Sequence, residues 1–145
     1  MLPGTYGDVT IAVDVELVDP SPSQFVQLAC RSQNAASQYR FGFRPATGEV
    51  WINRWLPKPS PGEWRGLTEP GLTSPAVHLG RAVNRAELSC HGTTIEGSIN
   101  GVTAASVTDN SFFEGQLWIA VGETFSEKRG ATPVGRFSNL LVTQK

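Results

Sequence analysis

The chain has 145 residues, near the usual size of a single domain, and can bury roughly two-thirds of its unfolded surface without help from a metal. Hydrophobic residues make up 39%, which argues against disorder, and 12 basic residues against 13 acidic ones give a net charge of -1. No basic tract exists to neutralise a phosphate backbone, so nucleic acid is not an expected partner, and no apolar run approaches the ~18 residues of a membrane span.

The first clear element is Asp8 to Leu17. Val9, Ile11, Val13, Val15 and Leu17 share one face, and Asp8, Thr10, Asp14 and Glu16 the other. That period of two predicts a half-buried strand, which Asp19-Pro20-Ser21-Pro22 breaks. Gln24 to Arg31 repeats the pattern, with Val26, Leu28 and Cys30 opposed to Gln27, Ala29 and Arg31. After a polar loop at Ser32 to Ser37 comes Gln38 to Arg44, where Tyr39, Phe41 and Phe43 alternate with Arg40, Gly42 and Arg44. Thr47-Gly48 turns the chain into Glu49 to Leu56, where Val50 and Ile52 oppose Trp51, Asn53 and Trp55.

Pro57 to Gly62 reads as a turn, Trp64 to Thr68 as a short strand and Pro70 to Pro75 as loop. Arg85 to Cys90 and Thr94 to Ile99 form a hairpin about His91-Gly92. Asn100-Gly101 is the strongest hairpin signal, because a type I′ turn needs positive φ at both central residues. It leads into Val102 to Val107. Gln116 to Gly122 and Val134 to Val142 complete the set; Trp118, flanked by Leu117 and Ile119, is read as a core residue. Nine or ten short strands with no amphipathic helix, repeat or linker predict one all-β domain, a sandwich or barrel.

Cys30 and Cys90 stand sixty residues apart, which is no zinc pattern. They are either buried thiols or one disulfide, and spacing alone does not choose. The start, Met1-Leu2-Pro3-Gly4, does not read as a secretory signal, so the chain is either cytosolic or a piece of a longer exported protein.

A specific run marks the second half: Asn84-Arg85-Ala86-Glu87-Leu88-Ser89-Cys90-His91-Gly92, then Ile95, Asn100-Gly101, Asp109, Phe113 and Gly115, and a last strand with Phe137, Asn139 and Val142. Together with Cys30-Arg31 ahead of an aromatic strand, it resembles the concanavalin A-like lectin/glucanase superfamily. The likeness is greatest to the laminin G-like and keto-disaccharide-hydrolase-like branches in bacterial surface proteins. The resemblance extends from Asp8 to Val142. It implies a two-sheet antiparallel jelly-roll sandwich over residues 1–145, with its core in 8–143. It also implies a Cys30–Cys90 disulfide and an extracellular or cell-surface location.

Three constellations could carry chemistry. With Val50 and Ile52 inward, Trp51, Asn53 and Trp55 face out on one sheet, and Arg31, Arg40 and Arg44 share that parity on neighbouring strands. The flat C–H faces of sugars pack on indole rings, and their hydroxyls hydrogen-bond to Arg and Asn, so this is a candidate glycan platform; alternatively, the tryptophans cover an edge or lie under the Pro57 to Gly62 loop. Retaining glycosidases need two carboxyl groups about 5 Å apart, which the glucanase branch supplies as Glu-x-Asp-x-Glu. No such motif occurs; Asp14-Val15-Glu16 lacks the third acid, while Glu49 and Glu96 would have to meet across the sheet. Neither His78 nor His91 belongs to a metal or nucleophile motif. Asp109-Asn110 is either a structural calcium ligand or an Asx-turn that caps local amides.

The expectation is therefore a non-catalytic extracellular module for carbohydrate, with no cofactor beyond that calcium. The alternatives are a protein-interaction or sensory ectodomain, and a glycoside hydrolase-like domain. Oligomeric state is left open.

Overall fold

The computed structural model describes residues 2–33, 37–56, 63–124 and 132–144, without the side chains of Glu63 and Trp64. The Pro57 to Gly62 turn lies outside the described residues. Among those described there are eleven strands and no helix: β1 (Leu2–Tyr6), β2 (Val9–Val18), β3 (Gln24–Gln33), β4 (Ser37–Phe43), β5 (Val50–Leu56), β6 (Glu63–Gly66), β7 (Asn84–His91), β8 (Thr94–Ile99), β9 (Val102–Thr108), β10 (Gly115–Glu123) and β11 (Val134–Gln144).

They form two antiparallel sheets, one in the order β1-β10-β3-β4-β5-β6 and the other β11-β2-β7-β8-β9. Alternation along each strand sends one face into the sandwich. Val9, Ile11, Val13, Val15 and Leu17 of β2 meet Val26, Leu28, Tyr39, Phe41, Phe43, Val50 and Ile52 of the opposite sheet in one core. Gly97 makes room for that meeting, since a Cβ there would lie 2.2 Å from the Phe41 ring. Asn100 and Gly101 have φ of 52° and 82°, as the type I′ turn requires.

Cys30 of β3 and Cys90 of β7 are bonded, joining the two sheets through the core. The strand at Leu2–Tyr6 has no counterpart in the sequence reading. With Pro3 and Gly4 in five residues it has no alternation to detect; it forms by pairing with β10.

Arg31 departs from the outward parity expected of it. Register slips between Cys30 and Gln33, and Arg31 takes a φ of 51° within that bulge. A bulge breaks strict alternation. The Arg31 side chain is fully buried and donates to the carbonyls of Gly7, Gly92 and Phe112 at 2.7–3.3 Å and to the Asp8 carboxylate at 3.2 Å. It ties three loops at one end of the sandwich and is no part of the outer surface.

Candidate functional site: a groove on the outer face of the six-stranded sheet

Cross-strand register builds this face as two rows. Trp118, Ala29, Arg40 and Asn53 are successive direct partners across β10, β3, β4 and β5; Ala120, Gln27, Gly42 and Trp51 form the next row. Side chains of direct partners lie about 5 Å apart at Cβ, so residues distant in sequence meet here. Gln27, Arg40, Trp51 and Asn53 of these rows line an open groove of about 530 Å³, together with Phe25, Arg44, Glu49, Glu123 and Thr124.

Trp51 is half-buried and lies across Gly42: a Cβ on Gly42 would come within 2.4 Å of the indole Cε2 and Cζ2. Phe25 meets its ring edge-to-face at 5.9 Å, and the Arg44 guanidinium lies 5.1 Å from the ring centre. Arg44 closes this end of the groove. It donates to Ser23 O at 2.8 Å and Thr124 Oγ1 at 2.6 Å, and its Nε stands 3.5 Å from Glu49 Oε1.

Arg40 sits mid-face. Burial lowers its guanidinium to about 10, which leaves it cationic at neutral pH. It donates to Gln27 Oε1 at 3.4 Å and stacks on Trp118 at 4.6 Å.

Of the residues expected to form the platform, Trp51, Asn53, Arg40 and Arg44 come together. Arg31 does not, and Trp55 lies further along β5, opposite Gln38 and in register with Trp64. The core position expected for Trp118 is wrong. Leu117 takes the buried parity and Trp118 the outer face, its Nε1 donating to Gln38 Oε1 at 2.8 Å. Phe25, Gln27, Glu123 and Thr124 escaped the sequence reading as groove residues. For Phe25 a signal existed, since it shares the parity of Gln27.

The other acids lie elsewhere. Asp14 pairs with Arg85 and Asn139, Glu16 with Arg81, and Glu96 with Thr103 on the five-stranded sheet. Glu49 and Glu96 are thus on different sheets and do not meet. Asp109 forms the Asx-turn, accepting from Ser111 N at 2.9 Å; it also accepts from Tyr39 Oη at 2.5 Å and pairs with Arg54 at 2.7 Å. Among the described residues no three His, Cys, Asp or Glu side chains are grouped to hold a metal ion.

No family model matches the sequence, and neither does any curated protein. Solved structures do resemble the fold. The carbohydrate-binding module CBM66 from Bacillus subtilis superposes with a TM-score of 0.73 at 14% identity, over 96% of this chain and 76% of that one. Sheep galectin-11, in complex with glycerol, gives 0.63 at 10%, over 99% and 100%. The Bacillus licheniformis beta-glucanase gives 0.61 at 11%, over 98% and 68%. The fold is the concanavalin A-like jelly-roll sandwich. At these identities the likeness reaches the fold and stops short of any branch within it.

Proposed function

We propose that this domain is a non-catalytic binding module for carbohydrate, working outside the cell, with the groove on the six-stranded sheet as its site. The observation that carries the reading is the convergence of Trp51, Asn53, Gln27 and Arg40 in one open groove. An indole face for sugar C–H groups, beside amide and guanidinium donors for hydroxyls, suits a polar ring with a flat apolar side. A carbohydrate-binding module and a galectin among proteins of this fold are in keeping with it. The Cys30–Cys90 bond fits an oxidising compartment.

The test is acrylamide quenching of tryptophan fluorescence across a glycan panel. One glycan class should protect the wild type. Trp51→Ala should remove that binding while lowering the melting temperature by only a few degrees. Binding that survives Trp51→Ala would move the site off this face.

Hydrolysis is a second reading, favoured by one observation: Glu49 and Glu123 line the same groove. Their backbones are three inter-strand steps apart, about 14 Å, and Glu49 is engaged by Arg44. Release of reducing ends by the wild type, abolished in Glu123→Gln, would establish it.

A further inference from the structure

The same outer face carries a second depression. Thr5, Ser32, Gln33, Glu114, Gly115 and Gln116 enclose about 420 Å³ where β1, β10 and β3 converge. Two breaks of register shape it. Strand β10 slips against β3 between Gln116 and Trp118, and β3 slips against β4 between Cys30 and Gln33. Bulges bend a strand and add twist, so the surface curls here instead of running flat. Gly115 permits the close approach of the two strands: a Cβ on it would lie 2.4 Å from the Arg31 carbonyl carbon and 2.6 Å from Ser32 N.

The second depression is coupled to the groove through named contacts. Ser32, on its floor, donates to Gln38 Oε1 at 3.0 Å, and the same oxygen accepts from Trp118 Nε1 at 2.8 Å. The Trp118 ring carries Arg40, which lines the groove. Between the two depressions stand the stacked Trp118 and Arg40; Ala29, the direct partner of both, is fully buried, and Ala120 beside Gln27 is half-buried. From Phe25 to Ser32 is seven steps along β3, about 23 Å of strand, well beyond the reach of one sugar ring.

The chemistry changes along that length. The groove offers aromatic faces and a cation. The second depression offers the Thr5 hydroxyl and the Gln33 and Gln116 amides over the buried Ser32, with the Glu114 carboxylate beside them. Gln33 donates to Glu114 O at 3.2 Å, while the Gln116 amide has no partner among the described residues.

We infer that the site holds a stretch of a polysaccharide several residues long, laid along β3 and β10 over both depressions, with Gln33 and Gln116 forming its distal end. This rests on the carbohydrate reading above, and the experiment separates the two.

The probes are size ladders of β-glucan, xylan, fructan and alginate oligosaccharides, from one to eight residues, titrated calorimetrically. One ladder should bind with affinity rising about tenfold or more between two and six residues. Gln33→Ala/Gln116→Ala should abolish the rise and leave the affinity for the shortest binders unchanged. Gln116→Trp, which fills the depression, should do the same; both side chains reach the surface, and circular dichroism confirms the fold of each variant. Affinity that is already complete at one or two residues, or a rise that survives both variants, overturns the extended site and leaves the carbohydrate reading standing. A wild type that binds no ladder, its tryptophans unprotected by every probe, overturns both.

Discussion

Trp51 owes its position to a residue with no side chain. Gly42 stands directly opposite it on β4, and the indole lies in the space a methyl group would fill. The ring gains an edge-to-face contact with Phe25 and a guanidinium from Arg44, each worth about 1 kcal/mol. Gly42→Ala therefore separates the groove from the fold. The new Cβ would sit 2.4 Å from two ring atoms, so the indole must swing off the sheet. The expected outcome is loss of glycan binding, stronger acrylamide quenching as Trp51 becomes exposed, and a stability loss of about 1–3 kcal/mol. Unchanged binding in a folded Gly42→Ala would mean that the ligand does not use the ring in this pose.

At the scale of elements, the connection from β9 to β10 passes from one sheet to the other and is held by Asp109. Its carboxylate accepts from Tyr39 and Ser111 and pairs with Arg54, direct partner of Tyr39 across β4 and β5. Burial raises the Asp109 carboxyl, but the hydrogen bonds from Tyr39 and Ser111 and the charge of Arg54 outweigh it and hold the group below its ordinary 3.8. Burial and the Asp109 carboxylate push the Tyr39 phenol up, so it stays a donor. Because the folded value of Asp109 lies below the unfolded one, its stabilisation is present above about pH 4 and disappears as pH falls through the lowered value. Asp109→Asn should melt earlier than wild type at pH 7, by roughly 2–3 kcal/mol, and the gap should close towards pH 2; parallel curves would remove the carboxylate from the account. Asp8 and Asp14 are also lowered, by the Gly92 amide and by Asn139 and Arg85, so the difference between wild type and variant, not the wild-type curve, isolates Asp109. These ties were not legible in the sequence, where Asp109 reads as a calcium ligand or as an Asx-turn residue. Ten strands were legible because period-two alternation is local, and with them the outward Trp51, Asn53, Arg40 and Arg44. Arg31 was misplaced because a bulge is set by tertiary pairing. Trp118 was misplaced because apolar neighbours on both sides hide its parity.

For the whole molecule the decisive question is what keeps the two sheets together. The core is shared between them, and Cys30–Cys90 is the disulfide across it, from β3 in one sheet to β7 in the other. Both cysteines are fully buried, so reductant must wait for an opening before it reaches the bond. Closing sixty residues in the unfolded chain is worth about 4 kcal/mol on loop entropy, a large part of the 5–15 kcal/mol typical of a domain. Cys30→Ala/Cys90→Ala should therefore lower the melting temperature by roughly 10 °C or more, while glycan affinity in the folded fraction is retained, because the outer groove draws on neither cysteine. Wild type heated in reductant should approach the variant only after unfolding begins. If reductant collapses the wild type well below its melting temperature, the bridge is reached from the native state and the sandwich opens locally at β3. If the double variant melts with the wild type, the core alone holds the sheets together.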